Sequence, residues 1–329
     1  MTTTLQREVG RVDAGYSWAS GCATAGAAVW AGIAVLARLG AARIGAIELL
    51  FLFAPLVIVP LGMELGRVMD GGGRMEQMAR RVQPFGAVCA VAAVCLPPGR
   101  EAGFIALGWM VVCGLMAAGG ILKLEHLFWS DAGEGVRATF MQVTLAVARV
   151  DLAVGGAWLV ASRLGMRPMG IREPIGLLTA VHFHFAGFAT ATIAAAMLGF
   201  AEKRDQGRWL RYVVPMVVGM PFVVAAGFVI APAVKMGAAI LFAISVAALA
   251  VALRQCGTQA EEPTARVLLQ VAAVAVFAGM VLAGTYAVAD FMGSEVLPIP
   301  QMARTHGILN CIGFCLPALL GWLVEFSRE

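Results

Sequence analysis

Four histidines, His126, His182, His184 and His306, lie in or beside long apolar runs, accompanied by Glu48, Glu64, Asp151 and Asp290. An ionisable side chain among apolar neighbours is costly unless paired, and in such a setting a functional role is the default expectation. Imidazoles and carboxyls held in a dry, shaped space can donate, hold and remove protons. Asp151 and Glu64 are therefore candidate acids, and His182, His184 and His306 candidate bases or positioning groups. Phe128, Trp129, Phe185, Phe188 and Tyr286 offer ring faces that can stabilise a developing cation. Together these types suit a proton-initiated cyclisation or isomerisation.

Spacing sharpens the assignment. In Thr179-Ala180-Val181-His182-Phe183-His184-Phe185-Ala186-Gly187-Phe188, the two histidines are two residues apart. On a straight α-helix such neighbours point about 200° away from each other. They cannot chelate one metal from a regular helix, and no HxxxH or ExxH spacing places two ligands on one face. No metal or cofactor is expected. His306 and Asn310 are four apart in Arg304-Thr305-His306-Gly307-Ile308-Leu309-Asn310 and share a face, where the amide can fix the imidazole's tautomer. Arg149 and Asp151 fall on nearly opposite faces and need separate partners. A third stretch, Lys123 to Asp131, contains Glu125 and His126 and reads either as a solvated loop or as a continuation of the preceding helix.

The elements that must position these residues are membrane helices. The chain of 329 residues is 60% hydrophobic and 13% charged, with a mean hydropathy of +0.84. A water-soluble domain carries about 25% charged residues. Apolar runs near twenty residues, without the alternation of a barrel strand, specify an all-α polytopic bundle of about ten spans. The expected spans are 18–39, 44–68, 84–98, 102–123, 139–161, 174–200, 210–231, 234–253, 265–290 and 304–325. They form a single integral membrane domain over 1–329, after a short polar segment at 1–16. Asp70-Gly71-Gly72-Gly73-Arg74 is expected to open a basic loop, and Pro55, Pro60, Pro215 and Pro221 to bend their helices. The seven cysteines read as small buried hydrophobes.

Of the 24 Lys and Arg residues, fifteen fall on the side shared by the two termini and eight on the other, with Arg149 inside a span. That bias is expected to place both termini in the cytoplasm. The net charge of +4 is spread over short loops, so it marks orientation and no nucleic-acid site. The expected partners are the bilayer and a lipophilic small molecule; the oligomeric state is left open. His182, His184, His306 and Asp290 enter at similar depth in the outer half, with Asp151 near mid-membrane. That convergence argues for one site, to which Asn310, Trp129, Phe185, Phe188, Tyr286 and Asp290 would contribute substrate contacts.

The pairing of a Thr-x-x-His-Phe-His-Phe-Ala-Gly-Phe helix (179–188) with a later Thr-His-Gly-x-x-Asn helix (305–310) resembles the YndJ-like family of bacterial membrane proteins. The resemblance implies architecture and a shared core of His182, His184, His306 and Asn310, without a settled activity. Two readings of function follow from the residues. One is a membrane-embedded acid–base enzyme acting on an isoprenoid- or polyketide-like chain. The other is a proton-coupled secondary transporter, which buried His and Asp on proline-broken helices would equally serve.

Overall fold

The computed structural model describes residues 2–129, 140–204, 206–294 and 297–328, with backbone alone over 2–17 and at Trp129. These residues form ten long helices and, among them, no strand. In chain order they are α1 (Thr2–Arg38), α2 (Ala46–Asp70), α3 (Arg74–Cys95), α4 (Arg100–Trp129) and α5 (Phe140–Arg163). They continue as α6 (Ile175–Glu202), α7 (Leu210–Ile230), α8 (Pro232–Gln259), α9 (Pro263–Phe291) and α10 (Ile299–Phe326). Among the described residues, nine of them are long and apolar enough to cross a bilayer. The exception is α3, whose first half is polar.

That first half corrects an expectation. The span expected at 84–98 belongs to a helix that begins at Arg74, so the basic loop after Asp70 shrinks to the turn Gly71–Gly73. Gly71 and Gly72 take the left-handed conformation, with φ of 79° and 64°. The helix runs on because its polar residues face inward and find partners there. Glu76, Ala79, Gln83, Gly86, Ala87, Ala90 and Ala93 are buried at helical spacing. Likewise α4 continues through Lys123 to Trp129, with Glu125 and His126 exposed at its end and outside the bundle interior. Asp131 lies outside the described residues.

Sequential helices pair as hairpins, α3 with α4, α4 with α5, α7 with α8, and α8 with α9, so chain direction alternates. The interior is built by α2, α6 and α10, which pack on one another, and α5 closes on α6. Alanine dominates the buried face of α6, from Ala189 to Ala201, and lets these helix axes approach closely. By contrast α1 is the least buried of the spans and lies on α2 at the bundle's edge. At the end that holds Phe326, the buried carboxylate of Glu325 accepts the N–H groups of Glu261 and Glu262 at 2.9 and 3.1 Å. It thereby caps the start of α9.

The three interior helices share a departure from α geometry. Ala54–Ile58 in α2, Phe183–Ala189 in α6, and Ala303–Gly307 with Leu309–Cys315 in α10 are π-helical. In α2 the cause is legible. Val59 N–H bonds to Ala54 O five residues back, and in that register Pro60 would serve Pro55 O but has no N–H. The Gln83 side chain of α3 donates to Pro55 O instead, at 2.7 Å. The Leu56 carbonyl, which an α-helix would also have paired with residue 60, turns against Gly26 of α1, where a Cβ would not fit. Neighbouring helices therefore satisfy what the prolines release.

Candidate functional site

Asp151 and His184 both lie at the contact between α5 and the π-helical turn of α6. Asp151 is fully buried, and neither carboxylate oxygen has a hydrogen-bond partner among the described residues. It lies against Gly187, where an added Cβ would come 2.9 Å from the Asp151 Cβ and 3.2 Å from its Oδ2. One turn further along α5, a Cβ on Gly155 would come 2.6 Å from the His184 Nδ1. Both glycines are thus needed for the two backbones to approach, and both lie beside Phe183.

The imidazole of His184 is occupied at both nitrogens. Its Nδ1–H donates to Ala180 O at 2.7 Å, and Nε2 accepts the indole N–H of Trp109 at 2.9 Å. Trp109 stacks on the ring at a centroid distance of 5.9 Å, and Phe51 meets it edge-on at 5.2 Å. This network fixes a neutral tautomer and leaves no lone pair for a substrate. His184 is a positioning residue here.

His182, on the opposite side of α6, is exposed, and its Nδ1–H donates to Leu178 O at 2.7 Å. The His306 Nδ1–H donates to Gly279 O of α9 at 2.9 Å, and the Asn310 amide donates to His306 O at 2.7 Å. Asn310 Nδ2 also lies 3.2 Å from the His306 Nδ1, so the two residues meet on one face of α10. Asp151 and His184 therefore share the α5–α6 interface, while His306 and Asn310 meet between α9 and α10. Phe185 and Phe188 are buried in the core beside them. Asp290 is elsewhere, exposed and paired with Lys235 at 2.7 Å, with Tyr286 one turn away. The side chain of Trp129 lies outside the described residues.

Glu64 belongs to a second cluster, at the α2–α3 turn. Its carboxylate, fully buried, accepts from Arg67 at 2.6 Å and also from Arg80. Beside it Arg149 of α5 holds Asp70 through two bonds of 2.8 and 2.9 Å, and reaches Glu76 at 3.1 Å. Three guanidinium groups and three carboxylates thus neutralise one another. The three guanidiniums and Glu76 border a cavity of ≈ 310 Å³ lined also by Gly62, Met63, Gly66, Gly71, Gly72, Gln77, Met116, Leu145 and Phe188. Phe188 joins the two regions, for its ring lines this cavity while the adjacent Gly187 touches Asp151.

Sequence reasoning offers Trp109 only as a ring face that could stabilise a cation, and misses Glu76, Arg80 and the role of Asp70. The first was one aromatic among many. The others fall in the expected loop after Asp70, although Glu76, Arg80 and Gln83 recur at four and three residues and so mark one face of a helix. Among the described residues, no group of three or more His, Cys, Asp or Glu is placed to hold a metal ion.

Ten alternating helices, nine of them apolar enough to cross a bilayer, with ionisable groups enclosed between them, define an all-α polytopic membrane protein. The chain belongs to the YndJ-like family, whose model matches residues 49–314. It is 28% identical over 263 residues to the uncharacterized membrane protein YndJ of Bacillus subtilis (strain 168). The alignment covers 77% of this chain and 44% of that protein, so the chain spans less than half the length of the relative it matches. No solved structure matches.

Proposed function

We propose that the protein is a membrane-embedded acid–base enzyme that protonates a lipophilic, isoprenoid- or polyketide-like substrate, with Asp151 as the proton donor. The observation that carries this reading is the carboxyl group of Asp151, wholly buried and without a donor to either oxygen. An unpaired anion in that position would cost far more than a neutral acid, so the resting side chain holds its proton. A neutral carboxylic acid has one O–H to give. Transferred to a carbon–carbon double bond, that proton leaves a cation that aromatic faces stabilise. Loss of another proton to the Asp151 carboxylate, or to an imidazole Nε2, completes an isomerisation or cyclisation with no net proton consumed. His182 retains Nε2 for this purpose, because its Nδ1–H is spent on a backbone carbonyl; the Nε2 of His306 has the Asn310 amide nitrogen 3.5 Å away. The bias of Lys and Arg towards the side of the termini supports an inner-membrane location with both ends cytoplasmic.

A second reading, a proton-coupled transporter of a small molecule, draws on the π-helical breaks in all three interior helices. One pair of experiments separates the two. Purified protein in nanodiscs containing polyprenyl lipids and D₂O, with no gradient, should place deuterium on carbon, and Asp151→Asn should abolish this while folding normally. A transporter instead leaves lipid unlabelled, and in proteoliposomes dissipates an imposed pH gradient through wild type only. Wild-type labelling by Asp151→Asn would remove Asp151 as the acid.

A further inference from the structure

Among the described residues two arginines are buried, Arg149 and Arg163, and only Arg149 holds a carboxylate. Arg163 ends α5 and is 5% exposed. Its Nε has no acceptor among the described residues, and its Nη2–H donates at 3.1 Å to the hydroxyl of Ser162, which is buried as well. The carboxylates of the neighbouring segments do not neutralise it. Glu101, in the first turn of α4, is exposed, and Glu173, also exposed, accepts the Leu177 N–H at 3.2 Å. A guanidinium cannot shed its proton to escape burial, so Arg163 stays a cation in the bundle without a counter-ion.

Its side chain leaves α5 towards the start of α4. Gly156, seven residues earlier, lies against α4, where an added Cβ would come 3.0 Å from Cys113 and from Met110. Seven residues turn a helix to within about 20° of the same direction. Because α4 and α5 run antiparallel, the level of Arg163 falls at the first turn of α4, and a Cβ on Gly103 would overlap Leu164 there. The Arg163 carbonyl accepts the Gly99 N–H at 2.7 Å and ties the α3–α4 turn to the same place. Gly103 N–H bonds back to Gly99 O, so the N–H groups of Arg100, Glu101 and Ala102 precede the helical ladder. They have no acceptor among the described residues, and Ala102 is wholly buried. With thirty residues behind it, this terminus also carries the positive end of a helix dipole. The fold thus sets a buried cation against an electropositive helix end, with unused donors on both.

We propose that Arg163, Ser162 and the first turn of α4 form a binding site for one phosphate group, free or carried by a lipid. A helix N-terminus and a guanidinium fork are each suited to phosphate oxygens, and one anion between them would satisfy both. Their donors outnumber the two oxygens of a carboxylate and suit the tetrahedral set of a phosphate. The site lies where α5 reaches the end of its span, at the level of lipid headgroups. Twelve residues of α5 separate it from Asp151, a rise of about 18 Å, and it does not depend on the chemistry assigned to that carboxyl.

The test is thermal unfolding of the purified protein in a neutral maltoside detergent, titrated at constant ionic strength with sodium phosphate or with dioctanoyl phosphatidic acid. The melting temperature of wild type should rise saturably, and that of Arg163→Gln should not move. Saturation by sodium phosphate assigns a free ion, and saturation by phosphatidic acid alone assigns a lipid headgroup. Arg163→Lys keeps the charge but loses the fork, and should weaken the apparent affinity about tenfold. Without any phosphate, Arg163→Gln should melt at or above wild type, because it removes a charge that nothing in the fold neutralises. A response to neither titrant, or the same response in Arg163→Gln as in wild type, would overturn the proposal. So would an Arg163→Gln protein that melts well below wild type without phosphate or fails to accumulate, since the guanidinium would then have a partner inside the fold.

Discussion

Two polar regions of this bundle meet the cost of burial in opposite ways. At the α2–α3 turn, Glu64, Asp70 and Glu76 are matched by Arg67, Arg80 and Arg149 through short, multiply hydrogen-bonded contacts. Around the π-helical turn of α6 no ion pair forms among the described residues. His184 is satisfied by an indole and a backbone carbonyl, and Asp151 by nothing among the described residues. A paired network tolerates charge and resists loss of any member. An unpaired acid tolerates only its neutral form and is indifferent to losing the charge it does not carry. The same pair of side-chain types therefore implies architecture in one place and chemistry in the other.

The comparison breaks most easily at Arg149. Replacing it with Met leaves Asp70 and Glu76 buried without their cation, a loss of about 3–5 kcal/mol. Thermal unfolding in detergent should show a large drop in melting temperature, or the protein should fail to accumulate. An Arg149→Met protein as stable as wild type would mean that the network is solvated and that its pairing contributes little.

A smaller effect is expected on the other side. Trp109→Phe keeps the ring stack but removes the indole N–H, so His184 Nε2 loses its only donor among the described residues. The expected cost is about 1–3 kcal/mol. If the measured cost is near zero, the imidazole has another partner, and its assignment as a neutral, locked positioning group fails.

The smallest effect should be at Asp151. Asp151→Asn removes no ion pair, and its stability should stay within about 1 kcal/mol of wild type, in clear contrast to Arg149→Met. A loss of several kcal/mol would reveal a hidden cation beside Asp151 and return it to the structural class. Stability retained together with lost proton chemistry would be the signature of a working acid.

Much of the fold was legible beforehand because apolar length is a local property. The helices from α4 to α10 fall close to the expected spans, and the divergence of His182 and His184 follows from helical rotation alone. What misled the reading of α3 was treating charge as a sign of loop. Arg80 and Gln83 lie in a helix because Glu64 and the Pro55 carbonyl are there to receive them, and both belong to another element. The site divides in the same way. That Asp151, His184, His306 and Asn310 lie within apolar spans was readable, since side-chain type and hydropathy are both written along the chain. Which of them are spent and which are free was not. Trp109 is 75 residues from His184, and Arg149 is 79 residues from Asp70. Composition alone determined that this chain is a bundle of apolar helices, because few sequences so poor in charge can be solvated by water. Only tertiary structure decided which carboxylates are paired and which one is left alone, because pairing depends on distances that spacing along one helix does not contain.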